Sequence, residues 1–419
     1  MAKLSVIIPC YNCERTLADA VGSLFRQEPL VPFDITMVDD GSTDRTFETM
    51  KSLAASHQNI RIVRHDSNLG GGAARNTGVA HSDGEIIFCL DSDDMLAPDF
   101  LGRMTRYWME KKCDGVGIST SIKFRYKNLS DVAYVTAFED PGETVRIESL
   151  LDSSACSLYS TFLITRAAFN YVGGYPTSHA FDTQGMAFRF LCNGMTAYTC
   201  PGSVYYHRVD FHESYYLREH RALRSQWNMF KVLSEFLYVF REHIQEMILD
   251  HDLFAGDTRG GILDELRVAN ARQSVFREDF REMARLGRDG VAHMLEGSTS
   301  KFDQYWLGTY HLSKGSHRQA MHAFVRALEG GFAHRAIYGQ LLETALGVSG
   351  NRTAASISVG NLAYYVNDSR RSAGSSEPPL SRYQRLENSL VRSRHLRVLG
   401  MMMQGLRLLL RGLARGRGA

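Results

Sequence analysis

The first 118 residues alternate short apolar runs with stretches of helical periodicity, and this alternation limits the possible folds more than any other feature of the chain. After the first run, apolar residues recur at spacings of three and four from Leu17 to Phe25, as on one face of a helix. The apolar runs are predicted to be strands at 4–8, 35–38, 60–64 and 86–90. Strands separated by helices in this way predict a doubly wound, mainly parallel α/β sheet.

The rest of the chain is organised differently. Aromatic residues, short strands and loops replace the alternation over residues 119–220, and helical spacing returns at Arg221. We therefore predict an α/β domain followed by an all-α region. The predicted divisions are an α/β domain at 1–220, a helical region at 221–348, a linker at 349–380 and a basic amphipathic tail at 381–419.

Composition narrows the class of protein. Lys and Arg number 48 against 46 Asp and Glu, so the net charge of +2 gives no argument for a nucleic acid partner. No apolar run approaches the roughly 18 residues of a membrane span, and the N-terminus lacks a signal-peptide layout. The seven cysteines are odd in number and scattered, which is typical of reduced thiols. We expect a cytoplasmic protein.

The apolar run at 85–90 ends abruptly in the acidic residues Asp91, Asp93 and Asp94. Carboxylates held this close together are costly unless a cation or a polarised ligand lies among them. Oxygen ligands suit a hard divalent ion such as Mg²⁺ or Mn²⁺. The alternative is an acidic turn that begins the next helix.

Three other predicted strands also end in polar segments. Pro9–Asn12 follows the first strand, Asp39 and Asp40 follow the second, and a glycine run at 70–72 follows the third. In open α/β sheets, ligands bind outside the carboxyl ends of the strands. The glycine run matches neither the dinucleotide fingerprint nor the Walker A motif. A helix beginning there, with Arg75 in its first turn, would suit a diphosphate, although glycines also simply permit tight turns.

Taken together, the segments at 5–12, 38–44, 68–78 and 90–94 resemble those of family 2 glycosyltransferases, which have the GT-A fold. The resemblance implies inverting transfer of a sugar from a nucleoside-diphosphate donor, a UDP-sugar first of all. It implies that Asp40, with Asp39 beside it, binds the base and ribose. The residues implied to contact the nucleotide sugar are Pro9, Tyr11, Asn12, Asp39, Asp40, Arg75, Asp91 and Ser92.

The same resemblance implies a bound Mn²⁺ or Mg²⁺. Asp91 and Asp93 match the family's D-x-D motif, with Asp93 as the more direct ligand. A histidine further along can complete the metal shell or contact the diphosphate. His212 fits that position by its distance to Ser214, with His207 as the alternative and an ordinary surface histidine as the third reading.

An inverting transferase also needs a base that deprotonates the acceptor hydroxyl. The family places an acidic pair, whose Asp is the base, before a helix that ends in arginine. Here the pair aligns with Phe181–Asp182 or with Asp182–Thr183. Counting back from Arg189 favours Asp182–Thr183, which puts Thr183 at the position of the base. Asp182 is the carboxylate near this position, so the resemblance makes it the predicted base. Asp182 could instead cap the helix. In that case the domain could be a catalytically degenerate one that binds nucleotide sugars or acts as a scaffold.

The helical region and the tail suggest partners. Residues 307–327 have the spacing of one tetratricopeptide-like unit, which predicts a protein or substrate docking surface or else an ordinary helical hairpin. The tail at 381–419 mixes apolar residues with arginines, which suits either peripheral contact with the inner face of a membrane or packing on the body. We expect a glycan or lipid-linked acceptor in the synthesis of surface polysaccharide or glycoconjugate.

Overall fold

A computed structural model gives the structure of most of the chain. It describes residues 2–125, 129–138, 141–152, 155–177, 181–209, 224–250 and 261–332, and single positions at 337, 340 and 344. The predicted linker at 349–380, the predicted tail at 381–419 and the predicted metal ligand His212 all lie outside the described residues.

Within these ranges, nine strands form one sheet. The strands are β1 (Leu4–Cys10), β2 (Phe33–Asp39), β3 (Ile60–Arg64), β4 (Ile86–Cys89), β5 (Met95–Leu96), β6 (Gly115–Arg125), β7 (Val132–Ala137), β8 (Phe162–Thr165) and β9 (Ala197–Val209).

The first six described α-helices lie between strands in the chain order, and six more follow β9. The helices are α1 (Leu17–Leu24), α2 (Thr46–Ser56), α3 (Gly71–Ala80), α4 (Phe100–Lys111), α5 (Arg166–Val172), α6 (Asp182–Cys192), α7 (Arg224–Glu235), α8 (Glu242–Asp250), α9 (Ile262–Arg272), α10 (Phe280–Leu295), α11 (Lys301–Ser313) and α12 (His317–Glu329). In the part of the chain that the structure describes, none of the helices has the length and apolar composition needed to cross a bilayer.

The sheet has a parallel half and a mixed half. Strands β3, β2, β1 and β4 lie side by side and parallel, as predicted. Beyond β4, strand β8 is antiparallel to both of its neighbours, whereas β6 and β9 pair in parallel. The predicted α/β domain followed by an all-α region is therefore confirmed, with a sheet that is less uniformly parallel after residue 115.

Burial of the parallel strands accounts for their apolar sequences. Helices on both faces bury β1 and β4, so these strands read as continuous apolar runs instead of alternating ones. Helix α1 contributes Leu17, Val21 and Leu24 to the core on one face. Phe100 of α4 packs against Phe88 of β4 with ring centroids 5.4 Å apart. This packing fixes the strand ends where the polar segments begin.

The chain divides into two compact units, residues 1–291 and 292–419. In the second unit, the α11–α12 pair packs so closely that a Cβ at Gly308 would overlap the ring of Phe324. This contact agrees with a helical hairpin, and its likeness to a tetratricopeptide unit stays a prediction. The predicted domain boundary at residue 220 also stays a prediction.

Gly78 lets α3 lie directly on the parallel sheet. A Cβ at this position would overlap Cγ2 of Ile7 and would lie 3.3 Å from Cγ2 of Val38. We expect Gly78→Ala to lower the free energy of unfolding by about 1–3 kcal/mol, because the core there is already filled. Gly22→Ala in α1 is the matched control. Its Cβ would meet only the end of Arg26, at 3.6 Å, and it should stabilise by about 0.5–1 kcal/mol. Urea unfolding measures both, and equal stabilities for the two variants would contradict this packing.

Candidate active site

The loop after β1 is tied to the loop after β2. Asn12 has a positive φ of 50°, and its Oδ1 accepts a hydrogen bond from the Thr43 amide at 2.8 Å. The Asn12 amide donates to Oγ of Ser42 at 3.1 Å. Pro9 lies in β1 opposite Val38, and the Tyr11 side chain is 41% exposed. The structure thus places Pro9, Tyr11 and Asn12 at the carboxyl edge of β1 and β2.

Asp40 fixes the glycine turn that opens α3. Its Oδ1 accepts from the Leu69 amide at 2.9 Å and lies 2.7 Å from Nδ1 of His65, while its Oδ2 accepts from the Gly70 amide at 2.8 Å. Asp39 is also buried, accepting from the Ser42 amide and pairing with Arg64 at 2.9 Å. Both carboxylates are thus held by protein donors. The role of Asp40 in holding the glycine turn was not predicted from the sequence. Its contact with the nucleobase of a donor stays a prediction.

Arg75 connects the metal motif to the predicted base. One guanidinium nitrogen lies 2.5 Å from Oδ1 of Asp91, and the other terminal nitrogen lies 2.5 Å from Oδ2 of Asp182. The Arg75 side chain is buried, and its guanidinium lies 5.4 Å from the ring centre of Tyr175. Two residues predicted from distant parts of the sequence, Asp91 and Asp182, therefore share one buried cation.

The glycine run admits the 174–182 segment against α3. A Cβ at Gly72 would overlap the carbonyl oxygen of Pro176, and a Cβ at Gly71 would lie 2.9 Å from Oδ2 of Asp182. Asn76 adds two hydrogen bonds to the backbone of Tyr175, at 2.8 and 2.9 Å. Gly72 is therefore required for the close approach of the 174–182 segment to α3. This approach occurs at the helix N-terminus where the sequence predicted a diphosphate.

Asp182 is the first residue of α6 and does not cap it, since Phe181 occupies the cap position without a side-chain hydrogen bond. Its Oδ1 accepts from the Thr183 amide at 3.0 Å. Arg189, near the end of the same helix, pairs with Glu235 at 2.8 Å and donates to the Gly174 carbonyl oxygen at 3.0 Å. The helix that carries Asp182 is thus fixed at both ends.

The acidic segment after β4 holds more negative charge than its neighbours neutralise. Removal of water and repulsion from Asp94 and Asp91 raise the pKa of Asp93 to about 7. Because Asp93 is exposed to solvent, repulsion from the neighbouring carboxylates accounts for its raised pKa better than loss of water does. Burial also raises the pKa of Asp91, and Arg75 lowers it only in part. Ser92 lies partly exposed between them.

Asp94, by contrast, is buried among donors from β9. Its Oδ2 accepts from the Tyr205 hydroxyl at 2.7 Å and lies 3.1 Å from Nδ1 of His207, while its Oδ1 accepts from the Arg208 amide. The Arg208 guanidinium donates to the Asp93 carbonyl oxygen at 2.7 Å. Sequence reasoning missed Tyr205 and Arg208. Only their position beside His207 hinted at a role.

The donor set around Asp93 suits a divalent cation. Its ligands are all oxygen, and the raised pKa of Asp93 reflects negative charge that a cation would neutralise. Among the described residues, no three His, Cys, Asp or Glu side chains converge as a ready-made metal cluster. The protein ligands that fit are Asp93 and, through the oxygen that Arg75 does not contact, Asp91.

Comparison with known proteins identifies the α/β domain. Residues 5–170 match the model of glycosyl transferase family 2. The chain carries a family 2 glycosyltransferase domain. The family predicted from the four sequence segments is therefore confirmed. The match covers β1 to β8 and most of α5, and it includes the site residues from Pro9 to Asp94. The 174–182 segment, α6, β9 and Glu235 lie beyond it.

Curated relatives of this glycosyltransferase domain match only part of the chain. Glycosyltransferase GlyG of Streptococcus pneumoniae is 28% identical over 197 residues, which are 45% of this chain and 64% of that protein. A poly(ribitol-phosphate) beta-glucosyltransferase of Bacillus spizizenii is 32% identical over 114 residues, 27% of this chain and 18% of that protein. The chain thus matches less than two thirds of the length of these relatives.

Among solved structures, Staphylococcus aureus TarS 1–349 in complex with UDP-GlcNAc aligns with a TM-score of 0.48 at 16% identity. The alignment covers 80% of this chain and 90% of that one.

Replacing Asp40 by asparagine should loosen the glycine turn. The amide of Asp40→Asn can keep one acceptor but turns a donor toward the Gly70 or Leu69 amide, so we expect a loss of about 1–3 kcal/mol in the free energy of unfolding. Asp66→Asn, an exposed change in the same loop, should stay within about 0.5 kcal/mol of the parent. Thermal and urea unfolding report both. An Asp40→Asn variant as stable as Asp66→Asn would show that Asp40 does not hold the turn.

Proposed function

We propose that the domain transfers a sugar from a nucleoside-diphosphate donor, with a UDP-sugar first, to a hydroxyl acceptor with inversion at the anomeric carbon. The observation that carries the proposal is the shared contact of Arg75 with Asp91 and Asp182. It joins a carboxylate of the D-x-D motif to the carboxylate on the acceptor side at one edge of the sheet. A donor seated at that edge would have its leaving group and its attacking hydroxyl within reach of these groups.

Each residue then has a chemical task. Pro9, Tyr11 and Asn12, with Asp39 and Asp40 behind them, would form the wall of the nucleotide site. Arg75 would place a permanent positive charge beside the diphosphate and so favour its departure.

Asp91 and Asp93 would hold Mn²⁺ or Mg²⁺, which when bound supplies Lewis-acid stabilisation of the leaving diphosphate. Asp182 would accept the proton of the acceptor hydroxyl. The new bond forms between that oxygen and the anomeric carbon as the bond to the diphosphate oxygen breaks.

The proposed acceptor rests on the need for an attacking hydroxyl and on the names of related enzymes. Relatives matching this domain include enzymes named for transfer to poly(ribitol-phosphate). We therefore propose a hydroxyl of a surface polysaccharide or glycoconjugate. A panel of UDP-sugars with Mn²⁺, assayed for release of UDP with and without such acceptors, tests this proposal.

A second candidate function is binding without turnover. One observation favours it: both oxygens of Asp182 already accept hydrogen bonds from protein, and Thr183 follows where an acidic pair is expected. A degenerate domain would bind the nucleotide sugar and release no UDP from any donor. The same panel distinguishes it from the transferase.

Loss of the Asp93 carboxylate should remove catalysis and spare the fold. We expect Asp93→Asn to lower the transfer rate by about 10²–10³-fold, because the leaving diphosphate loses its charge stabilisation, and chelation with EDTA should do the same to the parent. The control is Asp99→Asn, since Asp99 is 54% exposed and asparagine tolerates its positive φ of 64°. Its rate should equal that of the parent. A normal rate in Asp93→Asn, with circular dichroism unchanged, would remove Asp93 from the site.

The base is tested separately. Asp182→Asn should reduce transfer by about 10²–10⁴-fold while UDP still binds, because the amide cannot take the acceptor's proton. Gln184→Ala, two residues further along the same helix, should leave the rate unchanged. Single-turnover rates and UDP titrations measure the two effects. If Asp182→Asn transfers sugar at the parental rate, another group is the base.

A further inference from the structure

Three side chains form a row across neighbouring strands beside the acidic segment. Strands β6 and β9 pair in parallel with Lys123 opposite His207, and β7 pairs with β6 so that Tyr134 lies opposite Lys123. Residues directly opposite each other in a sheet project from the same face. Tyr134, Lys123 and His207 therefore stand side by side on one face.

This face is the one that contacts the D-x-D segment. His207 lies 3.1 Å from Oδ2 of Asp94, and Tyr205, two residues earlier on β9, donates to the same oxygen. Ser121 lies opposite Tyr205 in the register, two residues before Lys123. The row thus runs from the edge strand β7 to the carboxylates of the site.

Lys123 is a half-buried cation that makes no ion pair with the other residues that the structure describes. Its Nζ donates to Oγ of Ser121 at 2.6 Å, and among the described residues no carboxylate lies within 4 Å of it. Burial lowers the pKa of Lys123 to about 8, and the nearby Asp94 carboxylate opposes this shift only in part. An ammonium group removed from water gains from an anion placed beside it.

Tyr134 extends the row outward. Its side chain is 51% exposed, and its ring centre lies 5.9 Å from Nζ of Lys123. An exposed aromatic ring beside a cation offers an apolar face to a sugar or polyol and a charge to a phosphate on it.

We propose that Lys123 binds a phosphoryl oxygen of a substrate at the site, with Tyr134 against the adjoining carbon skeleton. The inference deepens the proposed sugar transfer and rests on it. Phosphoryl groups could come from two sources, the donor diphosphate or a phosphate-bearing acceptor. The experiment has one arm for each.

The donor arm measures UDP binding by calorimetry in the presence of Mg²⁺. Lys123→Met keeps an unbranched side chain that is one atom shorter and removes its charge, and we expect it to weaken UDP binding about tenfold if the donor supplies the phosphate. Lys123→Arg should restore most of the affinity. Lys51→Met, a change at an exposed lysine of α2, is the matched control and should bind UDP as the parent does.

The acceptor arm measures binding of poly(ribitol phosphate), with ribitol as the phosphate-free comparison. If the acceptor supplies the phosphate, Lys123→Met should weaken polymer binding about tenfold and leave UDP binding unchanged, with Lys51→Met again equal to the parent. Thermal unfolding of every variant checks the fold.

The outcomes separate the two proposals. If the parent binds no UDP, the proposed function fails, and this inference fails with it. If the parent binds UDP but Lys123→Met matches Lys51→Met in both arms, sugar transfer stands and the assignment of Lys123 is overturned.

Discussion

The buried guanidinium of Arg75, held between Asp91 and Asp182, is the interaction on which the site depends. A charge taken out of water is tolerated only when partners of opposite sign surround it, and removing one partner of such a group typically costs about 3–5 kcal/mol. Arg75 meets this requirement with carboxylates from two separate segments. It therefore holds the end of β4 and the start of α6 together, and Gly72 permits the close approach of the segment that precedes α6.

Two groups of aspartates at the sheet edge show opposite treatments of the same side chain. Asp39 and Asp40 are paired with backbone amides, His65 and Arg64, so these carboxylates hold the loops in place. Asp93 is left beside other carboxylates, and its pKa rises to about 7. Stability alone would favour paired carboxylates, like those of Asp39 and Asp40, throughout the domain. A carboxylate kept at a cost, in the part of the domain that faces ligands, is typical of a functional site.

How much of this the sequence could predict follows from sequence distance. The parallel half of the sheet was predictable because each of its strands is encoded by one short apolar stretch of sequence. The carboxyl ends of parallel strands must then meet at one edge of the sheet. The contact of Arg75 with Asp182 joins residues 107 positions apart and depends on the folded 174–182 segment. The row of Tyr134, Lys123 and His207 depends on register, and β6 and β9 shift register between Ile118 and Thr120. A slip of one residue would turn Lys123 to the other face, and no local pattern forbids it.

The contacts of Asp182 bear on whether the domain can turn over. Each carboxylate oxygen offers two lone-pair positions, and Asp182 uses one on Oδ2 for Arg75 and one on Oδ1 for the Thr183 amide. As far as the described residues show, one position on each oxygen is left for an acceptor hydroxyl. The two existing bonds fix the orientation of the carboxylate without filling it, which is what a base needs in order to meet a hydroxyl in one geometry. If the acidic pair of the family aligns with Asp182–Thr183, Thr183 stands at the position of the base. Asp182 is then the neighbouring carboxylate, and its role as the base stays a prediction.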